Sequence, residues 1–173
     1  MSKGLIFDAP QVVKISGPLI FLAGPIQGAP LWHNEAISII RKLDKRIHIA
    51  SPRRRKLKRS TEFTDKMRNK QVDWETRYLN RAAENGVIIF WLAKEHRHIR
   101  TRAYAQTSRF ELGEWKGRSR WTKAKLVVGI QEGFTNARYI RRRLAQECPD
   151  IPIMDTLEAT CNAAIRLIRE SSR

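Results

Sequence analysis

Two glutamates are candidates for chemistry, Glu111 for its place just past an apolar strand and Glu75 because a carboxylate on an apolar stripe is costly to bury without a partner or a function. Glu111 lies in Thr107-Ser108-Arg109-Phe110-Glu111-Leu112-Gly113, a helix start that follows the apolar run Val87 to Leu92 and a basic loop. That run has the length and the Val/Ile/Phe/Trp content of a strand buried on both faces, as parallel sheets require. Ligands of open α/β sheets collect at the carboxyl ends of the strands, so the loop and helix start fall where a site is expected. Glu75, three residues after Val72 and four before Leu79, falls on the apolar stripe of a helix expected over 69–83.

Both glutamates also have structural explanations. Ser108-Arg109-Phe110-Glu111 fits a capping box, in which the glutamate reaches back to the cap backbone amide. The first turn of the other helix could project past the sheet edge, leaving Glu75 in water and well placed against the helix dipole. Asp73 and Trp74 beside Glu75 are further candidates to line a pocket, as are Trp91 near the end of the apolar run and Ser108.

The elements that must carry these residues alternate in type. Leu19 to Ala23 is a strand closed by Gly24-Pro25, where the missing Cβ lets a ligand approach the backbone and the proline stiffens the turn; a plain strand-to-helix turn reads the same way. Asn34 can cap a helix carrying Ala36, Ile39, Ile40 and Leu43. Further strands are expected at Ile47 to Ala50, Leu126 to Ile130 and Ile151 to Met154, and further helices at 136–146 and after Thr156. The alternation argues a three-layer α/β sandwich on a parallel sheet of about five strands, in one domain over 1–173.

At 173 residues and 42% hydrophobic content the chain can bury a real core, and no apolar run is long enough for a membrane span. The amino-terminal residues lack a signal-peptide pattern and Cys148 and Cys161 lack metal-knuckle spacing, so a reducing compartment, the cytosol, is expected. The net charge of +17 favours polyanions or phosphorylated substrates. Arg53 to Arg59 and Arg141 to Arg143 are dense cation clusters; a solvated loop is the favoured account of the first, because no nucleic-acid-binding motif surrounds it, and the second lies on a basic helix. His96 and His98 have no further ligand at metal spacing, and no dinucleotide or P-loop signature follows the first strand; no metal and no cofactor are expected.

FLAGPI at Phe21 to Ile26, QVDWE at Gln71 to Glu75, VIIFW at Val87 to Trp91, SRFELGEW at Ser108 to Trp115 and YIRRRLAQECPDIPIMDTL near the carboxyl terminus together resemble the nucleoside 2-deoxyribosyltransferase-like family. The resemblance runs in order from about Phe21 to Leu157. It implies a flavodoxin-like fold, a homo-oligomer, and cleavage of the N-glycosidic bond of a deoxynucleoside or nucleotide. Glu111 matches the family's nucleophile, Gly24 and Pro25 match its first-strand loop, and Trp74 and Glu75 lie where a carboxylate contacts the leaving base. A carboxylate suits the oxocarbenium character that develops at C1′, and a protonated second carboxyl, Glu75 or Asp73, suits donation to the departing ring nitrogen. Water as acceptor gives hydrolysis, a second base gives transfer. The rival reading is a non-catalytic module that holds nucleic acid through the basic clusters.

Overall fold

The apolar runs pair edge to edge, all in parallel, because each is buried on both faces and needs helices above and below it. The structure, a computed structural model, describes residues 3–54 and 64–171. Its elements are β1 (Ile6–Asp8), β2 (Leu19–Ala23), α1 (Trp32–Leu43), β3 (His48–Ser51), α2 (Asp65–Glu84), β4 (Gly86–Leu92), α3 (Gln106–Ser119), β5 (Leu126–Ile130), α4 (Ala137–Glu147), β6 (Ile153–Met154) and α5 (Leu157–Glu170). The strands lie in the order β1-β3-β2-β4-β5-β6. With β1 set aside, this is the flavodoxin-like order, and its switch point lies between β2 and β4.

The sheet has six strands where the sequence predicts five. The additional one, β1, pairs with β3 through Ile6 and Ile49, Phe7 and Ala50, and Asp8 and Ser51. Three residues are too few to show a periodicity, so this strand is specified by its docking on β3 and by the seating of Phe7 beneath α2.

Alternation along β4 separates the two cores. Ile88, Phe90 and Leu92 pack with Trp74, Tyr78, Leu112 and Leu144 of the α2, α3 and α4 layer. Val87, Ile89 and Trp91 pack with Ile40, Cys161 and Ile165 of the α1 and α5 layer. Both glutamates of interest therefore belong to helices of one layer, the first.

Helix starts differ from the sequence expectation in instructive ways. α3 begins at Gln106, with Ala105 in the left-handed region at φ 55° and no side-chain cap, so Glu111 lies in the second turn and the capping box does not form. α1 begins at Trp32 behind Leu31, ahead of the expected Asn34 cap. α2 starts earlier than expected because Thr64 caps it, accepting from Met67 N at 3.3 Å. Thr156 does cap α5 as expected, accepting from Ala159 N at 3.1 Å.

Candidate active site

Gln71 and Glu75 are one turn apart on α2, so their side chains share a face. Gln71 Nε2 donates to Glu75 Oε1 at 2.8 Å and to the Pro52 carbonyl, just past β3, also at 2.8 Å. Gln71 Oε1 accepts from Arg54 Nε at 2.7 Å, and Arg54 in turn donates to the Met67 carbonyl at 2.9 Å. This chain of bonds ties Glu75 to the carboxyl end of the sheet. Burial pushes the Glu75 carboxyl above its ordinary range, opposed by the Gln71 hydrogen bond and the Arg54 charge.

Glu111 comes from α3, whose first turn is held by loop contacts. Arg109 donates to the Tyr104 carbonyl at 2.8 Å and the Thr135 carbonyl at 3.1 Å, its guanidinium 4.8 Å from the Phe134 ring centre. Tyr104 donates from its hydroxyl to the Ala93 carbonyl at 2.7 Å, so the loop after β4 is pinned at both ends. Burial pushes the Glu111 carboxyl up to about 8, with the charges of Glu75 and then Glu114 adding to the rise. The two carboxyls thus feel each other across the α2–α3 interface, and a proton is easier to keep on Glu111 than on Glu75.

The other sequence candidates divide. Ser108, one turn before Glu111, is buried on the inner side of α3 with Leu112 and Trp115. Asp73 is exposed, about 200° around α2 from Glu75, and does not join the pair. Trp74 is a core residue: it packs edge-on against Phe7 at 6.2 Å and against Tyr78 at 4.9 Å, and its Nε1 donates to the Gln11 carbonyl at 2.7 Å. Trp91 points to the opposite side of the sheet, into the α1 and α5 layer.

Gly24 is explained by protein packing, where the sequence suggested room for a ligand. A Cβ there would stand 2.3 Å from the Trp91 carbonyl oxygen and 2.8 Å from the Trp32 ring. The Pro25 carbonyl accepts from Trp32 Nε1 at 2.9 Å, which locks the turn onto α1.

Of the basic clusters, residues 55–59 lie outside the described residues. Arg141 pairs with Asp155, and Arg143 with Glu147, so most of the second cluster is neutralised. His98 pairs with Glu95 at 3.0 Å. Among the described residues, no three His, Cys, Asp or Glu side chains converge as a metal site would need.

Two grooves open near the carboxyl edge. One of about 530 Å³ lies at the switch point, between 26–31 and the loop residues His96, Arg97 and Ile99. The other, about 500 Å³, lies on the α1 and α5 side against Trp32, Trp91, Asp155 and Thr156. Neither is lined by Glu75 or Glu111.

Sequence reasoning missed Gln71, although its place four residues before Glu75 is the signal for a side-chain pair on one helix face. It also missed His33, which is buried and stacked on Trp32 with ring centres 3.7 Å apart. Burial, and secondarily the Arg53 charge, push that imidazole down to about 3, so it is neutral. Nothing in the α1 pattern marks it.

The fold is shared with a conserved protein from Enterococcus faecalis V583, at a TM-score of 0.54 and 13% identity over 88% of this chain and 99% of that one. No curated protein matches the sequence. A family model described as nucleoside 2-deoxyribosyltransferase like matches residues 17–134, which span β2 to the turn after β5 and include both Glu75 and Glu111. The chain belongs to the nucleoside 2-deoxyribosyltransferase-like family.

Proposed function

We propose that the protein cleaves the N-glycosidic bond of a 2′-deoxynucleoside or its nucleotide through Glu111 and Glu75, passing the sugar to a second base or to water. The observation that carries this reading is the pair itself: two glutamyl carboxyls on facing helices, both raised by burial, with the Glu75 charge among the causes of the Glu111 rise. Such a pair holds one proton between its members near neutral pH.

The heavier burial of Glu111 favours that proton there in the free site. Substrate binding must move it, directly or through water, to Glu75, leaving Glu111 ionised. Glu75 then donates the proton to the ring nitrogen of the departing base as the C1′–N bond breaks and its electron pair goes to the base. The Glu111 carboxylate attacks C1′ and forms an ester. In the second half, the acceptor attacks C1′, the ester C–O pair returns to Glu111, and the acceptor's proton passes to Glu75. Gln71 and Arg54 position Glu75 and limit its rise, so that it can take up and release a proton.

The homo-oligomer implied by the family would have Phe110, 74% exposed on α3, as an apolar residue to cover. A cytosolic location agrees with the two free cysteines, Cys148 and Cys161.

The test is chromatography of free base from a panel of deoxynucleosides and deoxynucleotides, with and without an acceptor base, coupled to intact-protein mass measurement. Base release that requires Glu111, and a mass gain of one deoxyribosyl group on Glu111, are expected. Absence of base release from every member of the panel sinks the reading.

A further inference from the structure

We propose that the carboxyl edge of the sheet is a binding surface for single-stranded DNA. Arg53 follows β3; Lys94, Arg97, Arg100 and Arg102 follow β4; Arg138 stands in the first turn of α4 after β5. Arg53 is half-buried and the other five are exposed. Among the described residues none of the six pairs with a carboxylate, whereas Arg46, Arg118 and Arg143 elsewhere all do; Arg141, bonded to the Ile130 carbonyl at the end of β5, is paired with Asp155 and is not counted with the six. Among the described residues the same loops carry two acids, Glu95, already held by His98, and the exposed Glu132.

The spread of these cations selects the ligand. From β3 to β5 is three interstrand spacings, roughly 14 Å. One phosphate group cannot meet cations on both flanks, while a phosphodiester chain can.

Between the flanks lies the groove of about 530 Å³ at the β2–β4 switch point. Its two walls are joined by the Gly28 carbonyl, which accepts from His96 N at 2.7 Å and Arg97 N at 3.0 Å. Its exposed apolar residues, Ile26 at 38% and Leu31 at 61%, offer bases a surface while the rim offers phosphates charge. A duplex would keep its bases stacked and out of such a groove. Choosing DNA over RNA rests on the deoxyribosyl reading above.

The test is fluorescence anisotropy with a labelled oligodeoxynucleotide of about 15 residues, titrated over a range of salt. An Arg97→Ala/Arg100→Ala/Arg102→Ala variant is compared with Lys42→Ala/Lys45→Ala/Lys123→Ala, which removes equal charge from the opposite edge. The first should weaken binding at least about tenfold and lower the salt slope by about two to three, and the second should stay within about twofold. Equal losses in both variants, no binding by the wild type, or equally tight binding of duplex, RNA or poly-glutamate overturns the proposal. Circular dichroism of each variant separates unfolding from lost contacts, and the wild-type salt slope stands without any variant. Oligonucleotide binding without base release from nucleosides, nucleotides or the bound oligonucleotide supports this surface and sinks the glycosidic reading; base release without oligonucleotide binding does the reverse.

Discussion

Gln71 Nε2 lies 2.8 Å from Glu75 Oε1 and donates to it, so this side-chain amide favours the ionised form of Glu75. Among the described residues Glu111 receives no such help, and it carries the larger burden of burial, which pushes it up to about 8. The asymmetry sets which carboxyl gives up its proton first. Replacing Gln71 with Leu removes the donor and should raise Glu75 further. The acid limb of the pH–rate profile should then move to higher pH, with kcat lowered more than KM changes; an unmoved limb would show that Gln71 only packs.

Loss of either carboxyl should be severe for different reasons. Glu75→Gln removes the proton donor to the base and should cost roughly 10²- to 10⁴-fold in kcat/KM. Glu111→Ala should cost at least as much and abolish the glycosyl-enzyme mass gain. In the wild type, activity should fall above about pH 8, where the pair loses its last shared proton. Glu75→Gln also removes a neighbouring negative charge, so the Glu111 titration should shift down toward the ordinary carboxylate range, checked by carboxyl-labelled NMR.

The pair also makes folding stability depend on pH. Glu111 binds its proton more tightly folded than unfolded, so its contribution is fully present below the ordinary value of 4.5 and is lost as pH rises through about 8. Denaturant unfolding at about pH 5 and about pH 8.5 should show the wild type losing stability between the two, and Glu111→Gln, which has no charge to bury, losing less. An equal decline in both proteins would mean that Glu111 is solvated when ionised.

How far this was legible in the sequence depends on the scale of the signal. β2, β4 and β5 are apolar runs buried at nearly every position, and burial on both faces is a property that composition alone records. β1 is three residues long and exists through Phe7 packing against Trp74 and Tyr78, a contact between segments far apart in the chain. The partial burial of Glu75 was legible from its place four residues before the buried Leu79, although Val72, put on the same stripe, is 53% exposed. The side of the sheet that Trp91 faces was not, because a continuous apolar run hides the alternation that Gly129 and Thr160 reveal: a Cβ on Gly129 would stand 2.4 Å from the Trp91 ring. The capping-box reading of Glu111 failed on Ala105, whose left-handed φ starts α3 earlier than any cap residue suggests.

Gly24 distinguishes a turn built for packing from one left open for a ligand. Its φ is 150°, and an added Cβ would lie 2.3 Å from the Trp91 carbonyl oxygen, an atom fixed within the β2–β4 pairing at Ala23 and Phe90. Neither the backbone of β4 nor the Trp32 ring, bonded to Pro25, can yield cheaply. Gly24→Ala should therefore cost at least about 2 kcal/mol, beyond strain alone, and lower Tm by about 4 °C or more. Gly17 is the control: its φ is 101°, yet the nearest atom to an added Cβ is His48 Nε2 at 3.9 Å. Gly17→Ala carries the conformational strain without the collision, about 1 kcal/mol. Thermal unfolding of the two variants side by side isolates the collision. If they fall equally, Gly24 is needed for its φ alone, and the space beside it becomes available to a bound substrate.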